Sequence, residues 1–577
     1  MNNYTFKIIN SEGVKKEATI RSPSKVLNYT ILNRLHKMFS ELGGTFYVAE
    51  GIEAIDSIAA SNMLSKVKTL HLPSTLQKIY SYNSSAFYFP LCVERIIVSD
   101  DNPYFSSDED GVLFSKDKSI LIRYPIGKLN DCYGIPPTVT GIAPFAFAKA
   151  KIKFLTATKS VSTIGEQAFQ YSQLISVDFS ETKIEVLPKE CFWICSDLVS
   201  IKLPKSLKSI KTKCFCQCGF ENIEIPNTVA KIEKYAFSSS KIKEIKTPRD
   251  LKHITMGVFQ DCQSLEKIDI SNVIRIHKTA FTDCPSLSEI TANTYNKAFS
   301  TKDGVYNKDF TKLLKVPPAY NKEKFVVPDS VKIIDEAAFD SCVNLTELDI
   351  NNAVLEDSAI FNCPNLKKII IGAGYKDFSP EKVKLCFALE KIEVDPNNPY
   401  YKSIDGVLFD KSGEKLLIYP PAKADSLYSV PDGTSEISEY AFFNVQNLTE
   451  VKLPDSVKYI GDHTFERCSK LQKIDLSRVI RIGRSAFSCC EKLDNLAFND
   501  NAVLEGYSFS FCSELKNVEL GNNLKIQNNS FMKTPFNNFD FDFFNANAEE
   551  LSKAFASAYT TADFLLSPRY YKNNYWK

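Results

Sequence analysis

The chain has 577 residues and carries 70 Lys and Arg against 69 Asp and Glu, a formal net charge of +1. That balance leaves no global field to draw it to nucleic acid, an anionic membrane or an acidic partner. Hydrophobic residues make up 44% and charged residues 24%, the composition of an ordinary folded protein, and no run of about 18 apolar residues predicts a transmembrane helix.

Residues 1–45 are predicted to form an N-terminal cap. Tyr4 to Ile9, a turn at Ser11-Glu12-Gly13, and Lys16 to Ile20 have the pattern of a β-hairpin. After Ser24, the residues Val26, Leu27, Ile31, Leu35 and Met38 recur at helical spacing. From Met1 to Ser40 there are seven Lys or Arg against two Glu, so the same segment also suits a docking surface. The opening MNNYTFKIINSEGVKKEATI lacks the basic start, apolar stretch and small-residue cleavage site of a secretory signal. The expectation is therefore a cytoplasmic protein, with the cell surface or secretion by another route as the alternative.

From residue 46 to 541 one phrase recurs. It is clearest in Phe465 to Leu520, where Phe465, Phe487 and Phe509 are each followed three residues on by a Cys (Cys468, Cys490, Cys512). Six residues on stands a Leu (Leu471, Leu493, Leu515), and nine and eleven on stand two more apolar residues. A fixed period of this length means a solenoid, whose repeats bury their apolar faces only against neighbours. Degenerate repeats centre on Ser61 and Phe87. Regular ones follow at Phe147, Phe169, Phe192, Phe215, Phe237, Phe259 and Phe281, then Phe339, Ile360 and Val383, and finally Phe442, Phe465, Phe487, Phe509 and Phe531. That makes 17 candidate units in three arrays. Hairpin insertions are predicted at 100–125, 295–320 and 395–422; in the first, Val112-Leu113-Phe114 and Ile120-Leu121-Ile122 flank a Lys116-Asp117-Lys118 turn. Residues 542–577 are predicted to be a C-terminal cap and tail, with a helix over 547–559.

Within a repeat, Ile474-Asp475-Leu476 or Val451-Lys452-Leu453 alternates with period two, so each is a short strand with two side chains inward and one outward. Pro204, Pro226, Pro248 and Pro454 end such strands because proline has no amide to donate. The Ala-Phe stretch is predicted to form one helical or 3₁₀ turn on the opposite side. Its Phe should stack on that of the next coil, giving an aromatic spine.

Phrases such as LPDSVKYIGDHTFERCSKLQKIDL (453–476) and VPDSVKIIDEAAFDSCVNLTELDI (327–350) resemble BspA-like leucine-rich repeats, and the DGVLF hairpins resemble insertions of bacterial members. The resemblance covers about residues 50–541. It implies an α/β leucine-rich-repeat solenoid, a horseshoe or twisted rod, with one short strand and one helical or 3₁₀ turn per repeat of 22–23 residues. It also implies a binding role, in some members adhesion to host or matrix proteins.

No catalytic, cofactor or metal site is predicted. Ten cysteines share one repeat position, where a small soft side chain fits beside the Phe, and they are expected to be free thiols. Cys214-x-Cys216-x-Cys218 and Cys489-Cys490 lack the paired C-x₂₋₄-C or Cys/His spacing of a zinc site. Neither G-x-x-x-x-G-K-[ST] nor G-x-G-x-x-G occurs, and the five His are scattered. The outward strand residues Lys202, Glu224, Lys246, Asp269, Asp349, Glu393, Lys452, Asp475 and Glu519 are mixed in sign, without a basic stripe or aromatic ladder, which argues against nucleic acid. They are the candidate partner-binding residues, together with the hairpin aromatics Tyr104, Phe105, Tyr400 and Tyr401. The predicted function is a non-enzymatic scaffold for another protein. The alternative is a cell-surface adhesin for host or matrix protein or glycan, and an enzyme housed in the atypical ends is the third reading.

Overall fold

The computed structural model describes residues 2–39, 43–56, 66–80, 92–519 and 523–535. The repeats centred on Ser61 and Phe87 and the predicted C-terminal cap lie outside the described residues. The chain divides into two compact units, residues 1–309 with 316–320 and residues 310–315 with 321–577.

In the first unit Asn2–Ile9 pairs antiparallel with Lys15–Ser22, and Gly44–Tyr47 joins the other edge of Asn2–Ile9. Gly44–Tyr47 then pairs in parallel with Val67–Leu72, so the hairpin continues directly into the solenoid's ladder. The helix spans Tyr29–Phe39. It starts later than the periodicity predicts because the Asn28 side-chain oxygen accepts the Ile31 N–H at 3.1 Å, an N-cap bond. Val26–Leu27 is left as a short strand beside Ala54–Ile55. Phe39, not Met38, is the last buried residue of the helix.

Each coil is built from two strands and a tight turn. The first strand is the predicted one: Phe154–Thr156, Ser176–Asp178 and Ser200–Lys202 run parallel and in register, as do Glu244–Lys246, Lys267–Asp269 and Glu289–Thr291. A second ladder of two-residue strands includes Val186–Leu187, Ser209–Ile210 and Lys231–Ile232. The second unit repeats the plan, with Lys324–Val326, Glu347–Asn351, Lys368–Ile371 and Lys391–Val394 in one ladder. Its longest second ladder runs from Lys415–Ile418 through Glu436–Ile437, Tyr459–Ile460, Arg481–Ile482 and Val503–Leu504 to Lys525–Ile526.

The helical turn predicted at Ala-Phe is not formed. Among the described residues, helix is confined to Tyr29–Phe39 and a 3₁₀ turn at Pro380–Lys382. The reason lies in the backbone. Residues two before and two after the spine Phe have positive φ in almost every coil, as in Gln167 and Tyr171 around Phe169 (58° and 57°) or His463 and Arg467 around Phe465 (54° and 64°); at Phe281 only Asp283 does. Hydrogen bonds alternate accordingly. The N–H groups of Gln167, Phe169 and Tyr171 donate to Lys189, Cys191 and Trp193 in the next coil, while Gln170 and Ser172 donate within their own turn to Gln167 and Phe169. A helix would keep every bond inside the segment. Left-handed backbone costs about 1–2 kcal/mol at each non-glycine residue, and three inter-coil bonds per turn sustain it. Gly257 is the glycine in this series: its φ is +59°, and a Cβ there would strike the Tyr235 ring.

The aromatic spine is present. In the first unit Tyr124, Phe147, Phe169, Phe192, Phe215, Phe237, Phe259 and Phe281 stack in order with centroids 4.8–5.9 Å apart. In the second, Tyr419, Phe442, Phe465, Phe487, Phe509 and Phe531 do so at 4.6–5.5 Å. Coil spacing exceeds the carbon contact distance of about 3.5–4.0 Å, so near-parallel rings must slide sideways into the favourable offset arrangement.

The repeat cysteine does more than fill space. Cys195, Cys218, Cys262, Cys284, Cys363, Cys468, Cys490 and Cys512 each direct Sγ at the carbonyl oxygen of the preceding coil's spine residue, at 2.9–3.2 Å. All 16 cysteines carry free thiols. Burial pushes the thiols of Cys195, Cys262 and Cys468 up to about 12, so they remain donors at neutral pH.

Candidate interaction surface

The parallel first ladder sets its outward side chains in rows, one coil apart. Lys202, Lys246, Lys452 and Glu519 are exposed on its strands, Asp269, Asp349 and Glu393 are half-buried there, and Glu224 and Asp475 are exposed but lie outside the strands, Asp475 directly after Lys473–Ile474. Three of the acidic residues also close turns. Asp269, Asp349 and Asp475 accept the backbone N–H two residues on, from Ser271, Asn351 and Ser477, at 2.8–2.9 Å. Those carboxylates replace a backbone acceptor where the strand ends.

Charge on the coils is organised between neighbours. Lys202 reaches Asp178 at 3.0 Å, Lys243 reaches Glu221 at 2.8 Å, Lys324 reaches Glu347 at 2.8 Å, and Lys368 reaches Glu393 at 2.7 Å. The Lys368 hydrogen bond, with help from Lys391, holds the Glu393 carboxyl below the usual range. Exposed pairs of this kind are each worth about 0–1 kcal/mol.

The hairpins differ in what they display. Phe105–Ser107, Leu113–Ser115 and Ile120–Arg123 form an antiparallel meander whose last strand is also a rung of the second ladder, beside Gly141–Ile142. Tyr401–Ile404, Val407–Asp410 and Lys415–Ile418 repeat it in the second unit. Tyr104 and Tyr400 stand out at 49% and 48% exposure. Phe105 instead packs against the N-terminal core, and the Tyr401 hydroxyl accepts the Phe378 N–H at 3.0 Å.

Two recurrent anchors escape the sequence reading. Asn102, Asn296 and Asn398 stand at the start of the three insertions. Each is buried, donates its amide to carbonyls of the preceding coil, and accepts two backbone N–H groups of its own insertion. The doubled Asn-Pro-Tyr at 102–104 and 398–400 is the signal that could have exposed them. The second anchor is a buried cation at the end of an insertion. Arg123 donates to the Phe145 and Ala148 carbonyls, and Lys315 donates to the Ala337 and Asp340 carbonyls in the second unit. Both serve the first turn of a fresh array, where no regular coil precedes; at Phe147 the Tyr124 N–H still donates to the Ala146 carbonyl at 2.8 Å, and Arg123 adds the remaining donors.

Cys214, Cys216 and Cys218 are buried, and Cys218 is occupied with the Phe192 carbonyl. Among the described residues no helix is long and apolar enough to cross a membrane.

A leucine-rich repeat protein of Eubacterium ventriosum is similar over 76% of this chain and 95% of its own, at 16% identity and a TM-score of 0.39. A leucine-rich repeat protein of Bacteroides ovatus is similar over 74% and 91%, at 23% identity and a TM-score of 0.36. A leucine rich cell surface protein of Faecalibacterium prausnitzii is similar over 77% and 96%, at 18% identity and a TM-score of 0.30. No curated protein sequence matches the chain. Residues 131–218, 208–302, 319–421 and 428–559, more than half of the chain, match the family described as BspA type Leucine rich repeat region (6 copies). With its stacked β-coils, its spine and its repeat phrase, the chain belongs to the BspA-type leucine-rich-repeat family.

Proposed function

We propose that the chain is a non-enzymatic scaffold that binds another macromolecule, mainly a protein, along the strand face of its coils and through the hairpins. The observation that supports this is the in-register ladder of exposed, mixed-sign residues on a rigid stacked core. Solenoids commonly use such extended faces for recognition, and loops on a rigid scaffold commonly add contacts. The eight buried repeat thiols that donate to spine carbonyls support a protein that matures where thiols stay reduced.

Cross-linking in the native cell followed by mass spectrometry identifies the partner and its compartment. Reversal of charge at Lys452, Asp475 and Glu519 then weakens that partner's binding at least ten-fold. An unchanged affinity in the triple variant refutes a strand-face site.

A further inference from the structure

The turn side of the first unit carries a row that the repeat does not explain. In four successive coils Lys149, Tyr171, Trp193 and Lys213 lie side by side. The Lys149 ammonium sits 5.9 Å from the Tyr171 ring centre, the Tyr171 and Trp193 rings are 5.4 Å apart, and the Lys213 ammonium sits 5.8 Å from the Trp193 ring centre. Tyr171 is 37% exposed; Lys149, Trp193 and Lys213 are half-buried, and Ile194 beside them is half-buried too. Lys149, Tyr171 and Lys213 stand at left-handed positions of their turns, and Trp193 directly precedes another, Ile194.

The charge around the row is largely positive. Lys151 and Lys189 flank it. Glu190 is turned inward, accepting the Gln167 amide at 2.7 Å with Lys189 at 3.7 Å, and Glu166 is the exposed carboxylate of the adjoining row. Trp and Tyr framed by cations have the make-up of a binding hot spot, in which an apolar anchor is surrounded by charges that select the partner.

We infer that Lys149, Tyr171, Trp193 and Lys213 form a docking surface for an extended acidic peptide segment of a partner protein. Three coil-to-coil steps of 5.1, 4.8 and 5.5 Å along the spine separate the two lysines. An extended chain advances about 3.3 Å per residue. Carboxylates four residues apart, on one face of the extended chain, therefore reach both ammonium groups, with an apolar residue between them beside Tyr171 and Trp193. Single-stranded nucleic acid fits less well. It stacks bases on open ring faces, whereas here the rings tilt 55° to each other and each has a lysine over it. This surface lies on the turn side of the coils and does not depend on the strand-face reading.

The chain has two tryptophans, Trp193 and Trp576. In full-length protein carrying Trp576→Phe, Trp193 reports binding by its fluorescence. The probe is a short peptide with one leucine between two glutamates spaced four residues apart. Saturable quenching that weakens with added salt is expected. Lys149→Ala and Lys213→Ala should each weaken binding about three-fold, and the pair together about ten-fold. Tyr171→Ala should weaken it further, while Lys516→Glu, at an exposed lysine of the second unit, leaves it unchanged. The inference is overturned if the glutamine version of the peptide binds equally well, or if the double lysine variant binds normally. It is also overturned if an oligouridine saturates Trp193 while the acidic peptide does not.

Discussion

Replacing Phe487 by Ala tests the spine directly. Phe487 is fully buried between Phe465 at 4.9 Å and Phe509 at 5.0 Å, with interplanar angles of 11° and 4°. Removing a buried Phe side chain costs about 3–5 kcal/mol in transfer and cavity terms, and each stacked pair accounts for about 0.5–1.5 kcal/mol beyond area. Because coils touch only their neighbours, the loss should stay local. Hydrogen exchange read by mass spectrometry should show the amides of Phe465, Phe487 and Phe509 exchanging about two to three orders of magnitude faster, with Phe169 in the first unit unaffected. A double-mutant cycle sharpens the point. Phe465→Ala with Phe487→Ala should couple by about 0.5–1.5 kcal/mol, whereas Phe442→Ala with Phe487→Ala should add within about 0.5 kcal/mol. Equal coupling at both separations, or faster exchange spread evenly over both units, would refute a nearest-neighbour spine.

Three further expectations follow from the same geometry. Iodoacetamide at pH 8 should label exposed Cys132 and leave Cys195, Cys262 and Cys468 unmodified until denaturant is added; equal labelling of Cys468 and Cys132 would contradict the buried-donor arrangement. Burial raises the pKa of Glu233, but the bonds from Lys231, Lys211 and Thr212 outweigh it and hold the group at about 2. Its folded value lies below its unfolded one, so its contribution is complete above about pH 4.5 and is lost as pH falls toward 2. Glu233→Gln should therefore lower stability at pH 7 by about 1–2 kcal/mol, discounted for the exposure of the lysines, and the difference should close in acid urea melts. Arg123→Met should destabilise the first unit by about 3 kcal/mol, since buried carbonyls lose charged donors; a urea midpoint equal to that of the parent would mean the guanidinium is dispensable.

The strands, the spine and the hairpins were legible because each leaves a spaced apolar trace: Ile201 and Leu203 in the strand, Phe169 and Phe192 in the spine, Leu113 and Leu121 in the hairpin. The turn was not. Its Ala-Phe segments contain good helix formers and no breaker, and the left-handed positions hold Gln, Tyr, Lys, His and Arg instead of glycine. Gly257 and the scattered Asp261, Asp283, Asn444 and Asn529 suit the conformation, but they are too few and irregular to mark it in every coil. Asn102 and Arg123 look like surface residues by type; their burial depends on an array starting afresh, which is a tertiary event. The cation–aromatic row was missed for a related reason. Outward strand residues recur at one place in every coil, whereas Tyr171 and Trp193 sit on the turn at different offsets from Phe169 and Phe192.

The alternating turn bonds also give the array a direction. Along the spine side every inter-coil N–H points toward the next coil, so one end of a run is a row of acceptors and the other a row of donors. A coil can be added or removed within a run without altering that polarity, because each presents the same two edges. A run reversed end for end would meet donors with donors. At the start of two runs the acceptor edge meets a donor of another kind, the Arg123 guanidinium or the Lys315 ammonium, while the run that follows Ile418 starts with an apolar residue at that place. An insertion that ends in a buried cation thus works like a primer, from which the next stack of coils can be laid down in one direction only.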